Sequence, residues 1–211
     1  MLIEVWSDVV CPWCYIGRRR LQQALAARTD LGDVQVLHRA FQLQPNAPRD
    51  HVEPTAQHLA EKYSVSPEQV LQMQATVTQA ASTVGLKFNL EHTLSGNTED
   101  AHRLLLWAQA TGGQDALLEQ MYGGYFTREQ SLFDHAVLLD MAEQVGLDRA
   151  EAAGVLESDA FAEQVRMDGA EAAQLGATGV PFFVFDRKYG IAGAQSHEVF
   201  MQTLDAAVSG Q

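Results

Sequence analysis

The sequence predicts an α/β protein: one mixed sheet interrupted by a helical insertion of well over a hundred residues. Three observations predict it. The N-terminal stretch reads strand, helix, strand, and the C-terminal stretch reads strand, strand, helix. Everything between them carries the three-and-four spacing of amphipathic helices. A structureless loop of that length would not suit a compact fold, whereas a helical subdomain does. The expected partition is a discontinuous α/β domain from residues 1–46 and 176–211, with a helical domain at 47–175.

"LIEVWS" at 2–7 is short and rich in strand formers. A helix is expected over about 12–28, with Cys14, Gly17, Leu21, Ala24 and Leu25 on its apolar stripe. That stripe puts Cys14 on the packed face and leaves Cys11 exposed at the helix tip. "VQVLHRAFQL" at 34–43 reads as the second strand, broken by Gln44, Pro45, Asn46, Ala47 and Pro48. In the middle, "SPEQ" at 66–69 is a helix start: Ser66 caps, Pro67 takes the first helical position and Gln69 closes a capping box. Val70, Met73, Val77, Ala80 and Val84 then share a face, and Gly85 ends the helix. "GNTEDAHRLLLWAQATGG" at 96–113 is another helix, with Asn97 or Thr98 near its cap. Further helices are expected at 117–122, 134–145, 149–156 and 160–175, with a turn at Gly123 and Gly124. Trp107, Tyr122, Tyr125 and Phe126 read as core or subdomain interface. "VPFFVFDRKYGIAGAQ" at 180–195 gives two short strands around a turn at 186–190. "SHEVFMQTLDAAV" at 196–208 closes the chain as a helix with Val199, Leu204 and Val208 inward.

A net charge of −13 argues against nucleic acid, whose phosphates call for a basic surface, and against anionic membranes. No basic start and long apolar stretch leads the chain, and no run of about 18 apolar residues could span a bilayer. The expected location is therefore the cytoplasm. The 211 residues are enough to bury a core without staples.

The two cysteines, Cys11 and Cys14, are the only ones in the chain and sit in "SDVVCPWCYIG". As a staple they would do little: closing a four-residue ring is worth only about 2 kcal/mol in the chain-entropy treatment. As a structural zinc site they lack partners, because the seven histidines are scattered and none shows the spacing of a ligand pair. No metal is expected. Redox exchange fits best. Cys11 stands where a strand hands over to a helix, and unpaired helix N–H groups there favour a thiolate. Cys14, one turn on, can attack a mixed disulfide at Cys11 and release the partner. Pro12 suits the first helical turn, and Trp13 offers an apolar face beside the sulfur. Arg18, Arg19 and Arg20 read as a solvated face with at most a docking role. Asp8 and Glu4 are nearer; a partly buried carboxylate could relay protons to Cys14. The plainer reading, which the pattern favours, has Asp8 ending the strand and Glu4 exposed.

Taken together, "SDVVCPWCYIG", "FQLQP", "NTEDAHRL" and "GVPFFVFDRKYGIAGAQ" resemble FrnE-type dithiol–disulfide isomerases, of the DsbA-like branch of the thioredoxin superfamily. The resemblance implies a thioredoxin-like fold with a large helical insertion and a thiol–disulfide oxidoreductase or isomerase, which the expected location would place in the cytoplasm. It implies that Cys11 is the nucleophile and Cys14 the resolving thiol. It also implies a cis Val180–Pro181 peptide facing them, with Val180 presenting its backbone to an extended substrate. Asn97, Thr98 and His102 match a family segment, and Asn97 and His102 are candidate cleft residues, although capping explains Asn97 or Thr98, and a packed or exposed position explains His102. No cofactor is implied beyond the thiol pair, with glutathione as a candidate electron partner and protein or peptide thiols and disulfides as substrates. The same architecture resembles kappa-class glutathione transferases and 2-hydroxychromene-2-carboxylate isomerases, against which Cys14 argues. A thiol-based metal sensor or a chaperone-like module is the non-enzymatic alternative.

Overall fold

The computed structural model describes residues 1–210. Along the chain run β1 (Leu2–Ser7), α1 (Pro12–Ala26), β2 (Gln35–Ala40), β3 (Val52–Pro54), α2 (Thr55–Tyr63) and α3 (Pro67–Ser82). Next come β4 (Leu94–Gly96), α4 (Glu99–Ala110), α5 (Gln114–Thr127), α6 (His135–Gln144) and α7 (Arg149–Leu156). The chain closes with α8 (Ala162–Gln174), β5 (Phe182–Phe185), β6 (Tyr189–Ala192) and α9 (His197–Ser209). Two compact units form, one from residues 1–43 and 166–211, the other from 44–165. The expected return at 176 is thus corrected to 166. The reason is Asp168 in α8, whose carbonyl accepts from Trp6 Nε1 at 2.8 Å and whose Oδ2 accepts from Ala40 N at 2.9 Å. Among the described residues, no helix is long and apolar enough to cross a membrane.

The first unit is built on a four-stranded sheet in the order β2-β1-β5-β6. β1 runs parallel to β2 and antiparallel to β5, which pairs antiparallel with β6. The two-residue periodicity of β1 sends Ile3 and Val5 to one face, where they meet Leu21, Phe183, Phe185, Phe200 and Leu204. Trp6 goes to the other face, against Phe182, Val184 and Ala172 of α8. Because both faces are covered, Glu4 is fully buried, which corrects the exposed position expected for it. Arg39 of β2 donates to Glu4 Oε1 at 2.8 Å, and the Arg187 guanidinium clamps the same carboxylate. Asp186 and Arg187 form the hairpin turn with φ of 46° and 57°, the paired positive values of a type I′ turn. Such values are costly for arginine, and the ion pairs of Arg187 with Glu4 and Glu171 offset them. In α9, Phe200 and Leu204 point inward as the sheet requires, but Val208 is 39% exposed, because it lies on the last turn beyond the core.

In the second unit the capping box at Ser66 is present, with Ser66 Oγ accepting from Gln69 N and Gln69 Oε1 from Ser66 N. Val70, Ala81 and Val84 are buried, while Met73 stays exposed. Trp107, Tyr122, Tyr125 and Phe126 are buried in the core of this unit. Gly123 and Gly124 lie inside α5, a correction to the expected turn. The missing side chain of Gly124 leaves room for Met141 and for Gln130 Oε1, which a Cβ would overlap. β3 and β4 form a two-stranded antiparallel ribbon that helical periodicity did not announce.

Candidate active site

The strand β1 ends at Ser7, and four residues carry the chain to the helix. Asp8 shapes this turn rather than simply ending the strand. It is 1% exposed, its carbonyl accepts from Cys11 N at 3.1 Å, and its Oδ2 accepts from Leu43 N at 2.8 Å. Cys11 is the N-cap of α1 with φ −89° and ψ 112°, and Pro12 follows in the first turn, where its missing N–H costs nothing. Cys14 N donates back to Cys11 O at 3.0 Å.

Both sulfurs are free thiols. Cys11 Sγ donates to Val180 O at 3.7 Å, bringing the start of α1 against the segment that precedes β5. That contact explains why Cys11 is 5% exposed rather than open at a helix tip as expected. Trp13 remains 37% exposed beside it. The Val180–Pro181 peptide is cis, and Pro181 O accepts from Gly193 N at 2.7 Å. The structure therefore gathers Cys11, Cys14, Asp8, Val180 and Pro181.

Burial pushes the Cys14 thiol well above its ordinary range, and the hydrogen bond and charge of Cys11 push the same way. A backbone hydrogen bond from Asp8 opposes the shift, and the Asp8 charge adds to it. The folded state thus holds a proton that the unfolded chain releases near pH 8.5. The linked stability is fully present below about pH 8.5 and lost as the pH rises from there toward the folded value. Thermal unfolding of the reduced protein should show an alkaline fall in Tm that is smaller in Cys14→Ala. Equal falls in both proteins would assign the alkaline loss to other groups.

The arginine triplet does not behave as one solvated face. Arg18 is 5% exposed and its Nη1 lies 3.0 Å from His38 Nε2. A guanidinium can only donate, so His38 accepts there. Arg19 lies over the Tyr15 ring, and Arg20 donates to the carbonyls of Ala194 and Gln195. The physical reason is that α1 is covered on more than one side, which a single amphipathic stripe does not reveal. Asn97 and His102 belong to the second unit. Asn97 Oδ1 accepts from Glu99 N at 2.9 Å and its Nδ2 donates to Ala47 O, so from one residue before the N-cap, Thr98, it satisfies the first N–H of α4 and ties down a loop. His102 is buried in α4.

The DsbA-like thioredoxin domain matches residues 2–205. A probable DsbA oxidoreductase from Streptomyces coelicolor is 44% identical over all of this chain and 91% of its own, with a TM-score of 0.96. The cytosolic disulfide reductase DsbM of Pseudomonas aeruginosa, solved with glutathione, is 16% identical over 99% of this chain and all of its own, with a TM-score of 0.68. A 2-hydroxychromene-2-carboxylate isomerase is 14% identical over 99% of this chain and 95% of its own, with a TM-score of 0.67. The last two likenesses concern the fold alone.

Proposed function

As the chain belongs to the family of DsbA-like thioredoxin domains, we propose that it is a protein thiol–disulfide oxidoreductase or isomerase that works through Cys11 and Cys14. The observation that supports this most is the placement of Cys11 at the start of α1, with its sulfur 3.7 Å from Val180 O and Cys14 one turn inside. In the reductive direction the Cys11 thiolate attacks a substrate disulfide. A Cys11–substrate bond forms, the substrate S–S bond breaks, and the leaving sulfur takes a proton. Cys14 gives up its proton and attacks Cys11 Sγ, closing the Cys11–Cys14 disulfide and releasing the second substrate thiolate. Two electrons pass to the substrate, and a thiol such as glutathione must return them. The oxidative direction is the reverse. An extended substrate segment docks its backbone along Val180, and Trp13 packs beside the reacting sulfurs.

A cytoplasmic, reductive setting is part of the proposal, supported by the fold shared with a cytosolic disulfide reductase solved with glutathione. The test is the reduction potential of the Cys11–Cys14 couple, measured against glutathione, together with reduction of a protein disulfide. A potential well below the cytosolic glutathione poise is expected for a reductase, and one far above it would make the protein an oxidant. Glutathione transfer to an electrophile, undiminished in Cys14→Ala, would instead favour the small-molecule reading that the isomerase fold likeness keeps open.

A further inference from the structure

We propose that Arg20 and Gly17 are positioning residues which, from one face of α1, hold the segment carrying Val180 and so set how well a substrate backbone docks beside Cys11. This rests on the reading of Cys11 and Val180 as the exchange site. β6 is the edge strand of its sheet, so no further strand braces the loop that follows it. Arg20 supplies that brace. Its Nη1 donates to Ala194 O at 2.5 Å and to Gln195 O at 3.2 Å. The neighbouring Gly193 N donates to Pro181 O at 2.7 Å, and Val180, the next residue back, receives Cys11 Sγ. A continuous run of hydrogen bonds and two peptide links, Gly193–Ala194 and Val180–Pro181, thus leads from the Arg20 guanidinium to the reacting sulfur. The charged donor makes these bonds stronger than neutral ones.

Gly17 lies three residues before Arg20, on the same side of the helix. A Cβ there would stand 3.0 Å from Pro181 Cγ, 3.1 Å from Phe183 Cζ and 3.4 Å from Ala194 Cβ. It therefore touches both segments that Arg20 links. Phe183 is fully buried, with its ring centroid 5.0 Å from that of Phe200. An added methyl at position 17 would press on both Phe183 and Pro181, and through Pro181 on Val180. Arg20 draws the loops in, while the bare backbone of Gly17 lets them come close.

The substrates affected are those that use a peptide backbone as well as a disulfide. The experiment compares wild type, Arg20→Ala, Arg20→Lys and Gly17→Ala on a disulfide-bonded peptide and on hydroxyethyl disulfide, which has no backbone. Arg20→Ala and Gly17→Ala should each lower the peptide-to-small-disulfide ratio of kcat/KM about tenfold, through KM rather than kcat. Arg20→Lys, which keeps the charge and a donor, should recover part of the loss. A ratio that stays at the wild-type value in Arg20→Ala, or peptide and small disulfide falling in step with Tm, would overturn the proposal. Should Gly17→Ala fail to fold, the Arg20 pair decides alone. A wild type inactive on both substrates would instead sink the exchange reading itself.

Discussion

Cys14→Ala is expected to trap a mixed disulfide between Cys11 and a substrate peptide, and Cys11→Ala to lose thiol–disulfide turnover altogether. The asymmetry follows from position. Cys11 begins α1 beside Val180, while Cys14 lies one turn inside, is 2% exposed, and is held as a neutral thiol by burial. Attack by Cys14 on Cys11 is intramolecular and pre-oriented, so its removal leaves resolution to external thiols. That should slow release by roughly three orders of magnitude or more. Non-reducing mass spectrometry after mixing with a disulfide-bonded peptide reads the result directly. Stoichiometric adduct at Cys11 is expected in Cys14→Ala. An adduct at Cys14 in Cys11→Ala would reverse the roles, and normal turnover by Cys11→Ala would remove the mechanism.

The largest stability effect is expected at Glu4. This carboxylate is fully buried in the central strand, between Arg39 and Arg187, with Asp168 of α8 3.7 Å from Arg39. Taking away one partner of a buried ion pair strands the other, at a cost of about 3–5 kcal/mol. Arg39→Ala, which leaves the fully buried Glu4 carboxylate with only the partly exposed Arg187, should lose stability on that scale in urea unfolding. Arg187→Ala should lose far less, because its side chain is 43% exposed and water can replace part of what it gives. Similar, small losses in both would mean that the pair is well solvated and that α8 is held by Trp6 and its apolar neighbours alone.

What could be read from the sequence was local. The capping box at Ser66, the strand at 2–7 and the helix opening at Pro12 are set by residues a few positions apart, and the structure contains them. The mixed sheet was also legible, because each strand carried its own punctuation. What could not be read depends on distant partners. Glu4 looked exposed because its alternation is right for a one-sided sheet, and the partner that buries it, Arg187, is 183 residues away. Arg18, Arg19 and Arg20 looked like a single charged face. Their different surroundings come from β2, from Tyr15 and from the loop after β6. Gly123 and Gly124 read as a turn since glycine disfavours helices, yet tight packing against Met141 explains Gly124 in α5. No local signal would have revealed the roles of Gly17 and Arg20.

The first unit leaves the chain at residue 43 and resumes at 166, which has a consequence for how the protein is made. Cys11 and Val180 are separated by 169 residues. At ordinary elongation rates of about 5–20 residues per second, that interval lasts roughly 10–30 s. For that time the nascent chain displays both thiols with β5 still unsynthesised, so β1 lacks one neighbour and Cys11 lacks the carbonyl that covers it. The second unit, encoded as one unbroken stretch, has all its residues before then. Newborn copies thus pass through a window in which Cys11 and Cys14 are made but the segment that covers Cys11 is not. The last strands to emerge close it.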